Sequence, residues 1–242
     1  MAGLPDLEFV IFRGYDLTGH VLGLTDEIVN DVEASDVAGD ALATSRFVGT
    51  AEASVQMTGF YDEDQSGALD DKTAGVLMYV LEGNAAGEPC ECSQEALPTA
   101  YKRSIEGKGV HKAELGWRAQ GLAAPLDHAV LIAPLAVHGA AGNTQSAYVD
   151  LGAATASGGR WWVALTALAD CTSVTVKAQH SADHVTWGDV TDATLTFTAI
   201  GAAMVAFTGD VYRYHASAWT YVGDGAARSA TFAAALTQTP DP

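Results

Sequence analysis

The sequence is poor in basic residues. Lysine and arginine number 12 against 30 acidic residues, for a formal net charge of -18. Gripping nucleic acid takes clustered cations that release counterions, so this balance argues against a nucleic-acid binder and for a surface that repels phosphate. Cysteine is scarce: Cys90, Cys92 and Cys171 are the whole complement. An odd count builds no disulfide framework and Cys-x-Cys is not the usual zinc spacing, which leaves buried reduced thiols made in a cytosol. Long apolar runs are missing. The longest, Ala129 to Val137, contains Pro134 and is about half a bilayer span. Phe9 to Phe12 is too short for a secretory core and has no basic lead-in. No membrane association is expected.

Catalytic and ligand motifs are equally sparse. The chain holds neither a G-x-S-x-G elbow nor a G-x-x-x-x-G-K-[ST] phosphate loop. Asp62-x-Asp64-x-Ser66-Gly67 opens like a calcium loop, with oxygen ligands at alternate positions. Thr73 stands where the bidentate glutamate should be, so the reading is a polar hairpin loop. His180 and His184 have zincin-like spacing without the glutamate, on a stretch patterned as strand then turn, where the rings would not share a face. In so acidic a chain any carboxylate pair is uninformative. The expectation is a non-enzymatic protein with no cofactor and no metal.

What is present is β texture. The chain has 242 residues, 48% of them hydrophobic, with 25 glycines for tight turns. This length suits one large or two ordinary β domains. The clearest strand is Thr50 to Gly59. Glu52, Ser54, Gln56 and Thr58 fall on one face, and Ala51, Ala53, Val55 and Met57 on the other. Residues 8–12 read as a strand, 16–24 as a loop, and 26–34 as helix or strand. A strand pair is expected at 101–106 and 110–118. Residues 71–81 fit a short helix, with Leu77, Val80 and Leu81 as its apolar stripe and Gly83 after its end.

The chain changes character near its middle. Residues 1–120 carry 21 acidic and 8 basic side chains, a net of -13; residues 121–242 carry 9 and 4, a net of -5. With Pro125, Pro134 and the glycines between 139 and 142, this predicts a domain over 1–130, a linker over 131–145 and a second domain over 146–242. In the second half, strands are expected at 147–151, 160–168, 172–179, 193–198, 203–207, 211–216 and 229–236. That spacing suits a β-sandwich, jelly-roll or immunoglobulin-like.

Two segments carry resemblances. Glu33-Ala-Ser-Asp36-Val-Ala-Gly39-Asp40, followed by Glu52-Ala-Ser54-Val-Gln56-Met-Thr58-Gly59-Phe60-Tyr61-Asp62, a loop and a short helix, resembles the tail tube proteins of siphovirus-like phages. The resemblance covers roughly residues 5–120. It implies a small β-sandwich or barrel with one short helix, whose copies form hexameric rings stacked into a tube that conducts DNA. The chain would then be a structural virion protein, made in the host cytoplasm, with further copies of itself and other tail proteins as partners. DNA would pass without specific binding, because like charges along a conduit keep cargo from sticking. The lumen-lining candidates are Glu52, Ser54, Gln56 and Thr58, then Glu27, Asp31, Glu33 and Glu114. The same faces also fit plain outer surface.

The second segment runs from Ser181 to Val190 and then Val211-Tyr212-Arg213-Tyr214. It is similar to discoidin-like jelly rolls and to accessory sandwiches on phage virions. This implies an outward decoration domain that contacts host-surface glycans or coats the tube. Trp162, Trp187 and Tyr214 read as core. Trp161, Trp219 and Tyr221 are the candidate glycan-contact aromatics, since rigid apolar ring faces stack on sugars. The alternative function is a carbohydrate-binding, host-adhesion protein.

Overall fold

A computed structural model describes residues 8–18, 21–35, 45–60, 73–81, 83–106, 110–120, 126–223 and 227–239. These residues are nearly all strand. In chain order they form β1 (Phe9–Phe12), β2 (Tyr15–Asp16), β3 (Val21–Ser35), β4 (Ser45–Phe60), β5 (Gly75–Val80), β6 (Pro89–Glu106), β7 (Val110–Gln120) and β8 (Asp127–His138). Then follow β9 (Gly142–Asn143), a 3-10 turn at Gln145–Ala147, β10 (Val149–Asp150), β11 (Gly159–Ala169), β12 (Ser173–Ser181), β13 (Gly188–Phe197), β14 (Gly201–Phe207), β15 (Tyr214–Val222) and β16 (Ser229–Gln238). The fold class is mainly β.

Two compact units divide the chain. The first comprises Met1–Gly19, Gly75–Cys92 and Asp127–Pro242; the second comprises His20–Ala74 and Ser93–Leu126.

In the first unit, β14, β11, β16 and β8 lie side by side in one sheet, and β10, β15, β12 and β13 in another, with β9 on β15. The two sheets share a core that includes Ile132, Trp161, Val163, Phe232 and Leu236 from one and Val174, Val176, Val190 and Trp219 from the other. A further cluster gathers Phe9, Ile11, Val76, Met78, Cys90, Cys92, Trp162, Ala164, Ala233 and Ala235. Strand β11 therefore feeds both clusters, Trp161 and Val163 into one and Trp162 and Ala164 into the other. A strand buried on both faces reads as a continuous apolar run, as Trp161–Leu165 (WWVAL) does. Opposite it, β16 supplies small residues: Trp162 pairs with Ala235 and Val163 with Ala234, so bulk meets space.

The β1–β2 hairpin turns on Arg13 and Gly14, both at positive φ (55° and 86°), with Phe12 paired to Tyr15. Two such residues form the turn whose twist matches the flanking strands. A Cβ on Gly14 would sit 2.3 Å from the backbone nitrogen of Gly201, so only glycine fits there.

In the second unit, β3 pairs with β4, β4 with β7, and β7 with the later part of β6, all antiparallel. Here the expected alternation is met: Ala53, Val55 and Met57 are buried, while Gln56 and Thr58 are exposed.

Three sequence expectations differ from the structure. The short helix over 71–81 is strand β5 across Gly75–Val80, because Val76 through Val80 are all buried and β5 pairs with β1. Over so short an apolar run, periodicity does not separate helix from strand. The loop over 16–24 gives way to β3 from Val21 onward. Residues 131–145, expected as a linker, hold the second half of β8. Pro134 fits there because the pairing skips: Ala133 meets Ala234 and Ala136 meets Phe232. At this bulge the Asn84 side chain clips Leu135, its Nδ2 donating to the Leu135 carbonyl at 3.0 Å and its Oδ1 accepting from the Leu135 amide at 2.9 Å. The calcium-like loop at 62–71 lies outside the described residues.

Candidate functional site

The sheet of the second unit has one buried and one polar face. The register sets Ser54 opposite Arg118, Gln56 opposite Gly116 and Thr58 opposite Glu114. On the other side of β4, Glu27 lies opposite Ser54 and Thr25 opposite Gln56. Strand alternation carries Ala53, Val55, Met57, Leu115, Trp117 and Ala119 to the buried face. Of the lumen-lining candidates, Glu27, Ser54, Gln56, Thr58 and Glu114 are thus brought together on one polar face. Glu52 stands in β4 opposite Val29 and Gln120, and Glu33 in β3 opposite Phe47; Asp31 lies at the register shift between Asn30 and Val32. The side chains of Glu52, Asp31 and Glu33 lie outside the described set.

This face is polar without being uniformly acidic. Lys102 lies opposite Glu114 with Nζ 3.4 Å from its carboxylate, and Arg118 is exposed beside Ser54. Both partners of the Lys102–Glu114 pair are well exposed, so it contributes little to stability. A recess of about 630 Å³ opens over Gly116, bordered by Ser54, Gln56, Thr58, Thr99, Glu114 and Arg118.

The glycan candidates of the first unit separate. Trp161 is 0% exposed inside the core between the two sheets, so its ring offers no face to a ligand; this corrects the sequence expectation. The reason is local: the two-sided burial of β11 draws in Trp161 and Trp162 alike. Trp219 is nearly buried, its indole donating to the Ala140 carbonyl at 2.6 Å and its ring edge-on to Phe232. Tyr221 lines a recess of about 590 Å³ with Gly139, Ala141, Thr220, Arg228 and Ser229, and its hydroxyl donates to the His138 carbonyl at 2.5 Å.

Sequence reasoning missed a ring cluster at another place in this unit. Tyr148 lies 5.3 Å from His184 with the rings nearly parallel (9°), 5.3 Å from Tyr214 nearly at right angles (83°), and 6.2 Å from Trp187. Trp187 and Tyr214, read as core, are half-buried here. Beside them, Arg213 donates through Nε and Nη2 to the two oxygens of Asp150, each at 2.6 Å. That pairing, with the Gly152 amide, holds the Asp150 carboxyl at a pKa of about 2. The sequence signal is the pair of stretches Ser181–Val190 and Val211–Tyr214; Tyr148, distant in sequence, gives none.

His180 and His184 do not converge. His180 stacks on Tyr212 and His184 on Tyr148, and no group of three metal-ligating side chains occurs among the described residues. Cys90 and Cys92 are buried with their sulfurs 3.7 Å apart, and burial pushes the Cys92 thiol well above its ordinary pKa, with Cys90 adding to the effect. Such thiols are inert. No helix among the described residues is long and apolar enough to cross a membrane.

No family model matches the chain, and no curated protein matches it. Among solved structures it is similar to a chain of the virion of a native gene transfer agent particle, at 13% identity over 50% of this chain and 95% of that one, with a TM-score of 0.37. It is also similar to the Dit protein of SPP1, a paradigm of the hub adsorption apparatus in phages infecting Gram-positive hosts, at 13% identity over 95% and 99% of the two chains, TM-score 0.34. A third is the baseplate of phage p2 in its activated conformation, at 8% identity over 96% and 91%, TM-score 0.29. Likenesses this distant leave function to the residues of this chain.

Proposed function

We propose that the chain is a non-enzymatic structural protein of a phage tail, whose copies join into hexameric rings stacked as the tube that DNA traverses. The reading belongs to the same class of particle as the solved structures to which the chain is similar. It is carried by one observation: Glu27, Ser54, Gln56, Thr58 and Glu114 share one polar face, backed by the buried Ala53, Val55, Met57, Leu115 and Trp117. A wall needs a side that coheres and a side that water and cargo can slide past. In this reading the polar face lines the lumen, the unit of His20–Ala74 and Ser93–Leu126 serves as the tube wall, and the other unit, which holds residues 146–242, carries the accessory role. Other tail proteins cap the tube, and DNA passes without specific contact.

The acidity of the chain supports a conduit. Carboxylates repel phosphate and release no counterions to hold it, whereas cations would. Replacing Gln56, Thr58 and Glu114 together by lysine tests the assignment, read as retention of DNA by assembled tubes in a salt series. Wild-type tubes are expected to release DNA at all salt concentrations, and the triple variant to retain it at low salt. Equal retention by the two contradicts a lumen position for this face.

A further inference from the structure

We infer that the ring cluster of Tyr148, His184, Trp187 and Tyr214, with the Arg213–Asp150 ion pair at its rim, is a binding site for a neutral saccharide. This goes beyond the tail reading and does not depend on it.

The site is assembled from three separate stretches of the first unit. Tyr148 follows the 3-10 turn, His184 and Trp187 come from the segment between β12 and β13, and Tyr214 opens β15 with Arg213 just before it. Rings that meet from so far apart normally do so to fill a core, yet here Tyr148 is 38% exposed and His184 is exposed, with Trp187 and Tyr214 half-buried. Aromatic rings left partly at the surface give a ligand an apolar platform.

The loop that presents His184 is built for rigidity. Asp183 accepts hydrogen bonds from the Val185 amide at 3.0 Å, the Thr186 amide at 2.7 Å and the Ser181 hydroxyl at 2.9 Å. Those bonds hold the Asp183 carboxyl at a pKa of about 2. His184 itself sits at φ 52°, a left-handed conformation that few residues other than glycine take. Strain of this kind persists where the surroundings over-determine it, and it gathers at binding sites. The result is a ring set in place before any ligand arrives, which spares the entropy of ordering it.

The chemistry selects the ligand. A pyranose has an apolar C–H face and equatorial hydroxyls at its edge. The cluster offers ring planes at two orientations, Tyr148 and His184 near parallel and Tyr214 upright to both at 83° and 75°. Aromatic planes take the C–H face. The guanidinium of Arg213 lies 5.2 Å over the Tyr214 ring, and Nε and Nη2 are directed at Asp150, which leaves Nη1 for a hydroxyl. The Asp150 carboxylate is an acceptor for a vicinal hydroxyl. With Asp150 and Asp183 both ionised beside the rings and a net charge of -18, an acidic sugar or a phosphate is disfavoured.

Saturation-transfer NMR on the full chain tests this. The probes are linear tetrasaccharides of glucose, galactose, N-acetylglucosamine and rhamnose, with sialyl and glucuronyl oligosaccharides as charged controls. At least one neutral probe is expected to bind and to quench tryptophan emission. Tyr148→Ala and, separately, Arg213→Met are expected to weaken that binding about tenfold or more, with melting temperatures within about 2 °C of wild type. Failure of every neutral probe to bind, binding by the charged controls alone, or binding that survives both substitutions overturns the assignment.

Discussion

Arg160 and Asp127 show what a single buried charge demands. Asp127 is 7% exposed, and Arg160 donates through Nη1 to both of its oxygens, at 2.5 and 2.6 Å. Removing the arginine leaves a carboxylate with little water around it. Arg160→Met is expected to cost about 3–5 kcal/mol of stability, measured by denaturant unfolding, and the double variant Arg160→Met with Asp127→Leu much less. His215 makes a prediction of a different kind. It is fully buried, and burial lowers its pKa from 6.5 to about 4. The unfolded chain therefore takes up a proton there as pH falls below 6.5, while the folded chain resists until about 4. Stability contributed by the neutral ring is complete above 6.5 and is lost across that window, at a slope approaching roughly 1.4 kcal/mol per pH unit. Asp150 and Asp183, held near a pKa of 2, stay ionised in the same window. Melting curves from pH 7 to 4 should fall less steeply for His215→Asn than for the wild type.

At the scale of the element, β4 is the plainest case. Its alternation could be read from the sequence because one face is buried and the other wet, so each residue declares its side. Met57 is 2% exposed and Thr58 is exposed, although they are neighbours. Met57→Asp should prevent folding or cost more than about 3 kcal/mol, whereas Thr58→Asp should stay within about 0.5 kcal/mol. Circular dichroism melts separate the two outcomes. Strands β5 and β11 were harder for the opposite reason: both faces of each are buried, the period of two vanishes, and VLMYV reads equally as helix. The same loss of pattern put Trp161 among the candidate glycan contacts when it is core. Pro134 misled for a third reason. Proline is permitted in a strand at a bulge, and this bulge is completed by Asn84, which lies 51 positions away. Of the ring cluster, the stretches Ser181–Val190 and Val211–Tyr214 stand out in the sequence, but their meeting with Tyr148 depends on the long-range pairing of β10 with β15. What could be read ahead was the fold class, most strands of the second half, and the polar set on β4 and β7.

For the whole molecule, the chain carries a net charge of -18 on two compact units. The second unit presents a polar sheet face to the outside, and the first presents rings and an ion pair. An antiparallel sheet with one face on a core ordinarily presents its other face to water, and under the proposed function this polar face across β3, β4 and β7 is the lining. Electron microscopy of the purified chain over a wide concentration range tests this proposed lining. Hollow rings that stack into tubes as concentration rises are the expected result. A chain that stays monomeric, or stops at a small closed oligomer without a lumen, at every concentration would contradict it.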